Sequence, residues 1–205
     1  MNESIKLFNH KDASSCNTND IAEFLDMSVG NLYYHYKNKE HIIRSIFIER
    51  IAPAMDAIFF TTDNRETEDD VFMFFLALAK NTYKYRFFYT EMYTLLNNDE
   101  ELKEFYSKRA QNVSDEITKM YDCWIENGIM KNISEFDKNI LTENTWLIGQ
   151  MWMTHARIMT PDKSANRLIF DEVTHIYHAL KPHLTDHSVE NFEKMIAFSD
   201  CLLKK

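Results

Sequence analysis

Two short helical patterns separated by a two-residue turn restrict the fold of this chain more than any other feature. When residues are placed at about 100° per residue, Val29, Leu32 and Tyr36 share one face of the second helix. Gly30 and Tyr34 lie on the opposite face. One face can pack against the protein while the other stays free for a partner, so we predict a helix-turn-helix.

The first helix of this pair has an apolar face formed by Ile21 and Leu25. Thr18 is predicted to be its N-cap, because a side-chain oxygen at that position can accept a hydrogen bond from the first turn. Residues 26–27 form the turn, and Ser28 is expected to cap the second helix in the same way.

The free face of the second helix carries groups that suit a nucleic-acid surface. Gly30 has no side chain, so the unpaired N–H groups of the first turn can approach a phosphate closely. Tyr33, Tyr34 and His35 carry polar tips on planar rings that suit phosphate oxygens or base edges, and Asn31 can use its amide. The alternative interpretation is an ordinary amphipathic helix with surface tyrosines.

Residues 7–42 resemble, without a gap, the DNA-binding domain of the TetR family of bacterial transcription regulators. Residues 7–8 match the end of that family's first helix, 20–22 its second, 28–36 its recognition helix and 37–39 the entry to its fourth. The resemblance implies that the following positions touch double-stranded operator DNA: Thr18, Asn19, Ser28, Gly30, Asn31, Tyr33, Tyr34, His35 and Lys39.

Some positions depart from the family pattern. Asp12 and Asp26 stand where glycines usually end the first helix and make the turn, and aspartate accepts positive φ better than most residues. Asn38 is a candidate N-cap of the fourth helix. Only residues 1–4 precede the apolar core of the first helix, where family members usually carry a longer, basic start. Either the native start lies upstream of Met1 or one set of backbone contacts is missing.

Composition indicates an all-α protein of two domains. The 205 residues include only three glycines and three prolines, so sharp turns are few, and 45% hydrophobic content excludes disorder. We predict a helix-turn-helix DNA-binding domain over 1–48, called the head, and a helical ligand-binding and dimerisation domain over 49–205, called the body. Residues 1–50 hold six Lys or Arg and seven Asp or Glu, a net charge of −1, so the remainder carries −8 of the total −9. The body should therefore be repelled by DNA.

The cysteines and hydropathy indicate where the protein works. Cys16, Cys123 and Cys201 are far apart and odd in number, which favours a reducing cytoplasm over a disulfide or zinc framework. No apolar run is long enough for a membrane span or resembles a signal peptide, so we expect a cytoplasmic protein without a membrane partner.

Helical periodicity continues through the body. A fourth helix should run from Lys39 toward Phe59 with an interruption at Pro53. Residues 61–70 are expected to be a loop and an N-cap region. Further helices are predicted over 69–84, 87–97, 98–127, 136–160, 163–181 and 187–203.

Two aromatic-rich segments, 82–96 and 146–159, suggest an apolar cavity for a small-molecule effector. The candidate lining residues are Phe88, Tyr89, Met92, Trp124, Trp146, Gln150, Trp152 and His155. Because the body is acidic, a neutral or cationic aromatic ligand is expected to be preferred. The alternative is that these side chains form only the core and a dimer interface.

Patterns for catalysis and metal binding are weak. Glu172 and His175 form one ExxH step, but a di-iron bundle needs two such steps. The histidines between His175 and His187 cross a predicted helix break at Pro182, and no phosphate loop or nucleophile elbow is present. We therefore expect no catalytic residues, no metal and no cofactor.

The resemblance implies a homodimeric, ligand-responsive repressor rather than an enzyme. The C-terminal helices of two chains would form a four-helix interface, and effector binding in the body would move the recognition helices away from the operator. The alternative function is a helical small-molecule-binding protein whose shortened head no longer binds DNA specifically.

Overall fold

The computed structural model describes residues 1–60 and 65–203, and over these residues the protein is all-α. The helices of the head are α1 (Asn2–Lys11), α2 (Thr18–Phe24), α3 (Val29–His35) and α4 (Lys39–Ile46). Those of the body are α5 (Ala52–Phe59), α6 (Glu68–Lys84), α7 (Arg86–Asn97), α8 (Glu100–Glu126), α9 (Glu135–Met159), α10 (Ala165–Leu180) and α11 (Asp186–Leu203). The helices predicted for the body are confirmed to within two residues at each end. The beginning of the predicted 61–70 loop lies outside the described residues.

One predicted helix cap is wrong. Asn17, not Thr18, caps α2, because its side-chain oxygen accepts from the backbone N–H of Asn19 (2.8 Å) and of Asp20 (3.0 Å). The Asp20 carboxylate accepts in return from the backbone N–H of Asn17 (2.8 Å), which completes a capping box. Thr18 is the first residue of the helix.

The other predicted caps and turns are confirmed. Ser28 caps α3 through its hydroxyl, and Asn38 caps α4 through its amide oxygen. Asp12 and Asp26 have φ angles of 65° and 52°, so both aspartates end a helix with positive φ, as their positions predict.

A π-helical turn over Phe47–Ile51 separates α4 from α5. In it the N–H of Ala52 donates to the carbonyl of Phe47, five residues earlier. Pro53 follows in the first turn of α5, where its missing N–H is tolerated. The predicted interruption at Pro53 is therefore confirmed. It is a single, wider π-helical turn just before the proline, and the chain stays helical on both sides of it.

The head shares its hydrophobic core with the body. Phe8 of α1 lies 5.3 Å from Phe87 of α7, and Phe47 of the π turn lies 4.7 Å from Phe88, measured between ring centroids. A second apolar cluster, centred on Trp124, joins α6, α8, α9, α10 and α11. No helix within the described residues is long and apolar enough to cross a membrane.

Candidate functional site

The two faces predicted for the recognition helix are present in α3. Leu32 is 2% exposed and packs in the head's core, with Val29 and Tyr36 half-buried beside it. Tyr34, on the opposite face, is 85% exposed. The buried leucine therefore holds the helix on the head while the tyrosine ring projects into solvent.

The N-terminal end of α3 is open to solvent. The Ser28 hydroxyl accepts from the backbone N–H of Asn31 (3.1 Å). A methyl group added at Gly30 would meet no atom within 4 Å. Internal packing therefore does not require glycine at position 30, and its small size matters only to a partner that approaches from outside.

The exposed polar groups of α2 and α3 form one surface. The Thr18 hydroxyl lies 3.0 Å from the Tyr33 hydroxyl, so the start of α2 is joined to the middle of α3. The Tyr34 and His35 rings meet edge to face at 5.1 Å between centroids. We call this surface the α2–α3 surface; it consists of Thr18, Asn19, Ser28, Gly30, Asn31, Tyr33, Tyr34 and His35.

Lys39 differs from the other residues that the resemblance implies, because its ammonium group already has partners within the protein. It donates to the carbonyls of Ala13 (2.7 Å) and Ser14 (3.3 Å) in the loop between α1 and α2. The Glu91 carboxylate of α7 accepts from the N–H groups of the same two residues, at 2.6 and 3.0 Å. A lysine ammonium has three N–H donors, so one remains for a phosphate.

A cavity lies within the body between α5 and α10. Its empty volume is about 560 Å³, including the part open to solvent. Most of the residues that line it are apolar or aromatic. The full lining consists of Met55, Phe59, Phe74, Phe75, Leu78, Thr82, Tyr89, Ile117, Met120, Tyr121, Trp124, Thr145, Trp146, Gly149, Gln150, Glu172 and Ile176.

The candidate ligand residues divide between this cavity and other places. Tyr89, Trp124, Trp146 and Gln150 line the cavity. The remaining candidates, Phe88, Met92, Trp152 and His155, lie outside its lining.

Each of those remaining side chains has a different environment. Phe88 and Met92 pack in the cluster shared by head and body. The indole N–H of Trp152 donates to the carbonyl of Leu168 (3.0 Å), and its ring lies 5.6 Å from the exposed ring of His155. Periodicity within one helix could not tell which of the candidate residues line the cavity, because the packing of the neighbouring helices determines which helix face borders it.

Glu172 lines the cavity although the sequence analysis considered it only as part of a single ExxH step. It is 1% exposed, and within the described part of the chain neither carboxylate oxygen has a hydrogen-bond partner. Burial raises its pKa to about 8, and the nearby Thr82 hydroxyl partly offsets this effect. That hydroxyl donates its proton to the carbonyl of Leu78 (2.9 Å), so it does not serve as a partner for the carboxylate. The position of Glu172 could have been noticed in the sequence, because it falls on the apolar face of α10 that also carries Ile169 and Ile176.

Other polar groups in the cavity are of mixed kinds. The Tyr121 and Thr145 hydroxyls lie 3.0 Å apart, and Tyr106 donates to the side-chain oxygen of Gln150 at 2.9 Å. The buried indole N–H of Trp124 has no partner among the described residues. In residues 1–60 and 65–203 no three His, Cys, Asp or Glu side chains converge to hold a metal ion.

The solvent side of α9 carries a row of large apolar residues. Its members recur at steps of four and seven along the helix and are all exposed: Phe136, Ile140, Leu147, Met151 and Ile158. This α9 stripe spans the whole length of the helix, and large exposed apolar patches mark interaction surfaces.

Family models match most of the chain. The model described as bacterial regulatory proteins, tetR family, matches residues 1–46, and the model described as TetR bacterial transcriptional repressor matches residues 51–192. Comparison with curated protein sequences gives no match.

Solved structures agree in fold. A TetR-family transcriptional regulator from Marinobacter aquaeolei is 26% identical, with a TM-score of 0.87 over 96% of this chain and 95% of that one. PfmR, a TetR family regulator from Thermus thermophilus, is 17% identical, with a TM-score of 0.63 over 87% and 93%. The fatty acid degradation regulator FadR from Bacillus halodurans is 14% identical, with a TM-score of 0.62 over 85% and 90%. With the helix-turn-helix geometry and the two family matches together, the chain belongs to the TetR family of bacterial transcriptional regulators.

Proposed function

We propose that this regulator is a homodimeric, cytoplasmic repressor that leaves its operator when a small apolar molecule binds in the body. The observation that carries the DNA-binding part is the α2–α3 surface, where aromatic and polar side chains project from helices held by a buried core. Such side chains suit the major groove, where base edges carry distinct donors and acceptors. The proposal includes no catalytic role.

The residues proposed to touch DNA are those of the α2–α3 surface together with Lys39. Tyr33, Tyr34 and His35 lie on the side of α3 that would enter the groove, and Gly30 allows the start of the helix to approach a phosphate. Lys39 would contribute its remaining N–H donor while it also holds the α1–α2 loop. With a nearly neutral head, phosphate contacts should be few.

The proposed dimer interface centres on the α9 stripe, and a second C-terminal helix from each chain would complete the four-helix arrangement that the resemblance implies. In a two-fold symmetric dimer the same patch meets itself, so one long row of apolar side chains can bury its counterpart from a second copy. This pairing would set the distance between two recognition helices and therefore the spacing of two operator half-sites. Two facts support this interface: the stripe runs the whole length of α9, and TetR regulators act as dimers.

A structural change caused by a bound ligand can be transmitted to the head through two helices, each of which contacts both the cavity and the head. α5 supplies Met55 and Phe59 to the cavity and continues through the π turn into α4. α7 supplies Tyr89 to the cavity and Glu91 to the loop after α1. A ligand that binds the DNA-incompetent arrangement more tightly would shift the population away from the operator.

Selection of binding sites from random double-stranded DNA tests the DNA-binding function. The purified protein should enrich a palindrome, because a two-fold dimer presents two recognition helices in related orientations. Tyr34→Ala protein, carried through the same selection, should lose the enrichment. Equal enrichment by both proteins would contradict the assignment of α3, and no enrichment by the parent would favour a small-molecule-binding protein that lacks specific DNA binding.

A further inference from the structure

The cavity contains a buried carboxyl group that the protein itself leaves without a partner. Glu172 lines the cavity, and both of its oxygens lack hydrogen-bond partners within the described residues. A buried polar group without a partner destabilises the folded state, so native proteins rarely retain one without a use. An incoming ligand that supplies a positive counter-charge would offset this cost, whether or not it also donates a hydrogen bond.

The surroundings of Glu172 favour a positive partner. Among the described residues that line the cavity there is no Lys, Arg or His, so the carboxylate meets no competing cation and an anionic ligand meets no counter-charge. Phe75, Tyr121 and Trp124 present aromatic rings to the same space, and aromatic rings attract cations. The Phe74 ring already has the Arg65 guanidinium over it, 4.3 Å from its centroid.

We propose that this cavity binds a small organic cation whose apolar part fits the aromatic lining and whose ammonium group pairs with the Glu172 carboxylate. The inference deepens the proposed function and rests on it for the regulatory consequence, because it names the chemical class of the effector. Charge-assisted hydrogen bonds and ion pairs in dry surroundings are stronger than neutral ones, so Glu172 sets the preference for charge.

Few other groups that face the cavity titrate in the same pH range as Glu172. From α7 and α8 the cavity receives Tyr89 and Tyr121, and burial raises the pKa of both hydroxyls, that of Tyr121 to about 12. From α6 it receives Thr82, and from α9 Trp146 and Gln150, which do not titrate. On α10 itself His175 is exposed. Glu172 is therefore the group of the cavity that changes charge near neutral pH.

Calorimetry with the full-length protein tests the preference for charge. The probes are benzyltrimethylammonium, a permanent cation, and neopentylbenzene, its uncharged isostere. At pH 8.5 the cation should bind about tenfold more tightly or better, a difference of about 1.4 kcal/mol. Equal affinity for both probes, or no binding of the cation, would overturn the inference.

Glu172→Gln tests which group is responsible. It should weaken binding of the cation about tenfold and leave the neutral isostere unchanged, since the amide keeps the shape but not the charge. Glu104→Gln, at an exposed position of α8, is the matched control and should change neither affinity. Cation binding by Glu172→Gln protein with the parent's affinity would overturn the role of Glu172.

Proton release provides a readout on the unmodified protein. At pH 7 Glu172, with its raised pKa, is mostly protonated, whereas its ion pair with a quaternary ammonium requires the carboxylate. Binding should therefore release close to one proton per cation, measured by calorimetry in buffers of different protonation enthalpy. Binding without proton release would contradict the ion pair.

A separate measurement with selected operator DNA distinguishes the two proposals. If the cation binds with proton release and lowers DNA affinity, both stand. If it binds in this way and leaves DNA affinity unchanged, the cation site stands and the ligand-responsive repressor is contradicted. If only uncharged compounds bind and lower DNA affinity, the cation site is wrong and the repressor stands.

Discussion

Arg157 of α9 pairs with Asp12 at the end of α1 through both of its terminal nitrogens, the Nη2–Oδ2 contact being 2.6 Å. The guanidinium fork matches a carboxylate in this bidentate arrangement. The pair joins the body to the loop that follows α1, close to where Asn9 accepts from the backbone N–H of Phe87 (3.0 Å). The orientation of the head is therefore held by polar contacts as well as by the shared apolar core.

Replacement of Arg157 by glutamine should affect DNA binding more than stability. The side chain is half exposed, so its ion pair should contribute less than about 1 kcal/mol to unfolding. Operator affinity should fall severalfold, since in the ligand-free protein the head loses the Arg157–Asp12 contact that helps to orient it. Fluorescence anisotropy and thermal melts measure the two effects. Lys6→Gln, which breaks an exposed ion pair within α1 alone, is the control, and identical losses for both variants would contradict the orienting role.

Leu32→Ala and Tyr34→Ala should separate packing from recognition. Removal of the buried leucine should reduce the free energy of unfolding by about 2–5 kcal/mol. Removal of the exposed tyrosine should leave the thermal midpoint nearly unchanged and weaken binding to selected DNA. Denaturant titration and anisotropy test the pair, and a Tyr34→Ala protein that binds like the parent would argue against α3 as the recognition helix.

Salt dependence should show few phosphate contacts. Residues 1–50 include only six Lys or Arg, and Lys39 is already engaged with the loop after α1. The plot of log affinity against log salt should therefore be shallow, and Lys39→Gln should reduce its slope by about 0.9, the value for one phosphate. Lys80→Gln, on the exposed side of α6, should leave the slope unchanged. Equal slopes for parent and Lys39→Gln would remove Lys39 from the interface.

The stability of the ligand-free protein should depend on pH through Glu172. Its pKa is raised from 4.5 to about 8 by burial, so between these values the folded state binds more protons than the unfolded state. The contribution of this group to the free energy of unfolding is fully present below pH 4.5 and is lost as the pH rises through about 8.

Glu172→Gln should remove that loss. At about 1.4 kcal/mol per pKa unit, the variant should gain a few kcal/mol relative to the parent between pH 5 and pH 8.5 in urea titrations. The gain for Glu104→Gln, the exposed control, should be close to zero. A parent and a Glu172→Gln variant with parallel pH profiles would show that Glu172 is not held neutral by the fold.

A charge in the α9 stripe should disrupt the dimer. Leu147→Glu places a carboxylate at the centre of the stripe, where a two-fold interface would bring it near its own copy. Sedimentation should show a shift to monomer and a loss of operator affinity. Met73→Glu introduces the same charge at an equally exposed apolar position of α6 and should remain dimeric. A dimeric Leu147→Glu protein would require a different interface.

Helix α3 and its two faces could be predicted from sequence because their determinants are local. The spacing of Val29, Leu32 and Tyr36 defines the buried face, and caps such as Ser28 act within one turn of their own helix. Asp12 and Asp26 likewise identify turns through the backbone preference of a single residue. The one incorrect cap, Thr18, lies next to Asn17, and asparagine is the more favourable N-cap of the two, so this cap could also have been predicted from local preference.

Only the tertiary structure decided which of the body's side chains share a space. Tyr89, Trp124 and Gln150 belong to different helices, and the packing of those helices brings them to one cavity while Trp152, on the same helix as Gln150, turns to the carbonyl of Leu168. The isolation of Glu172 arises in the same way, since a carboxylate is unpartnered only relative to everything that surrounds it. Helical periodicity depends on neighbours three or four residues apart, whereas burial and empty volume depend on contacts between residues distant in the chain.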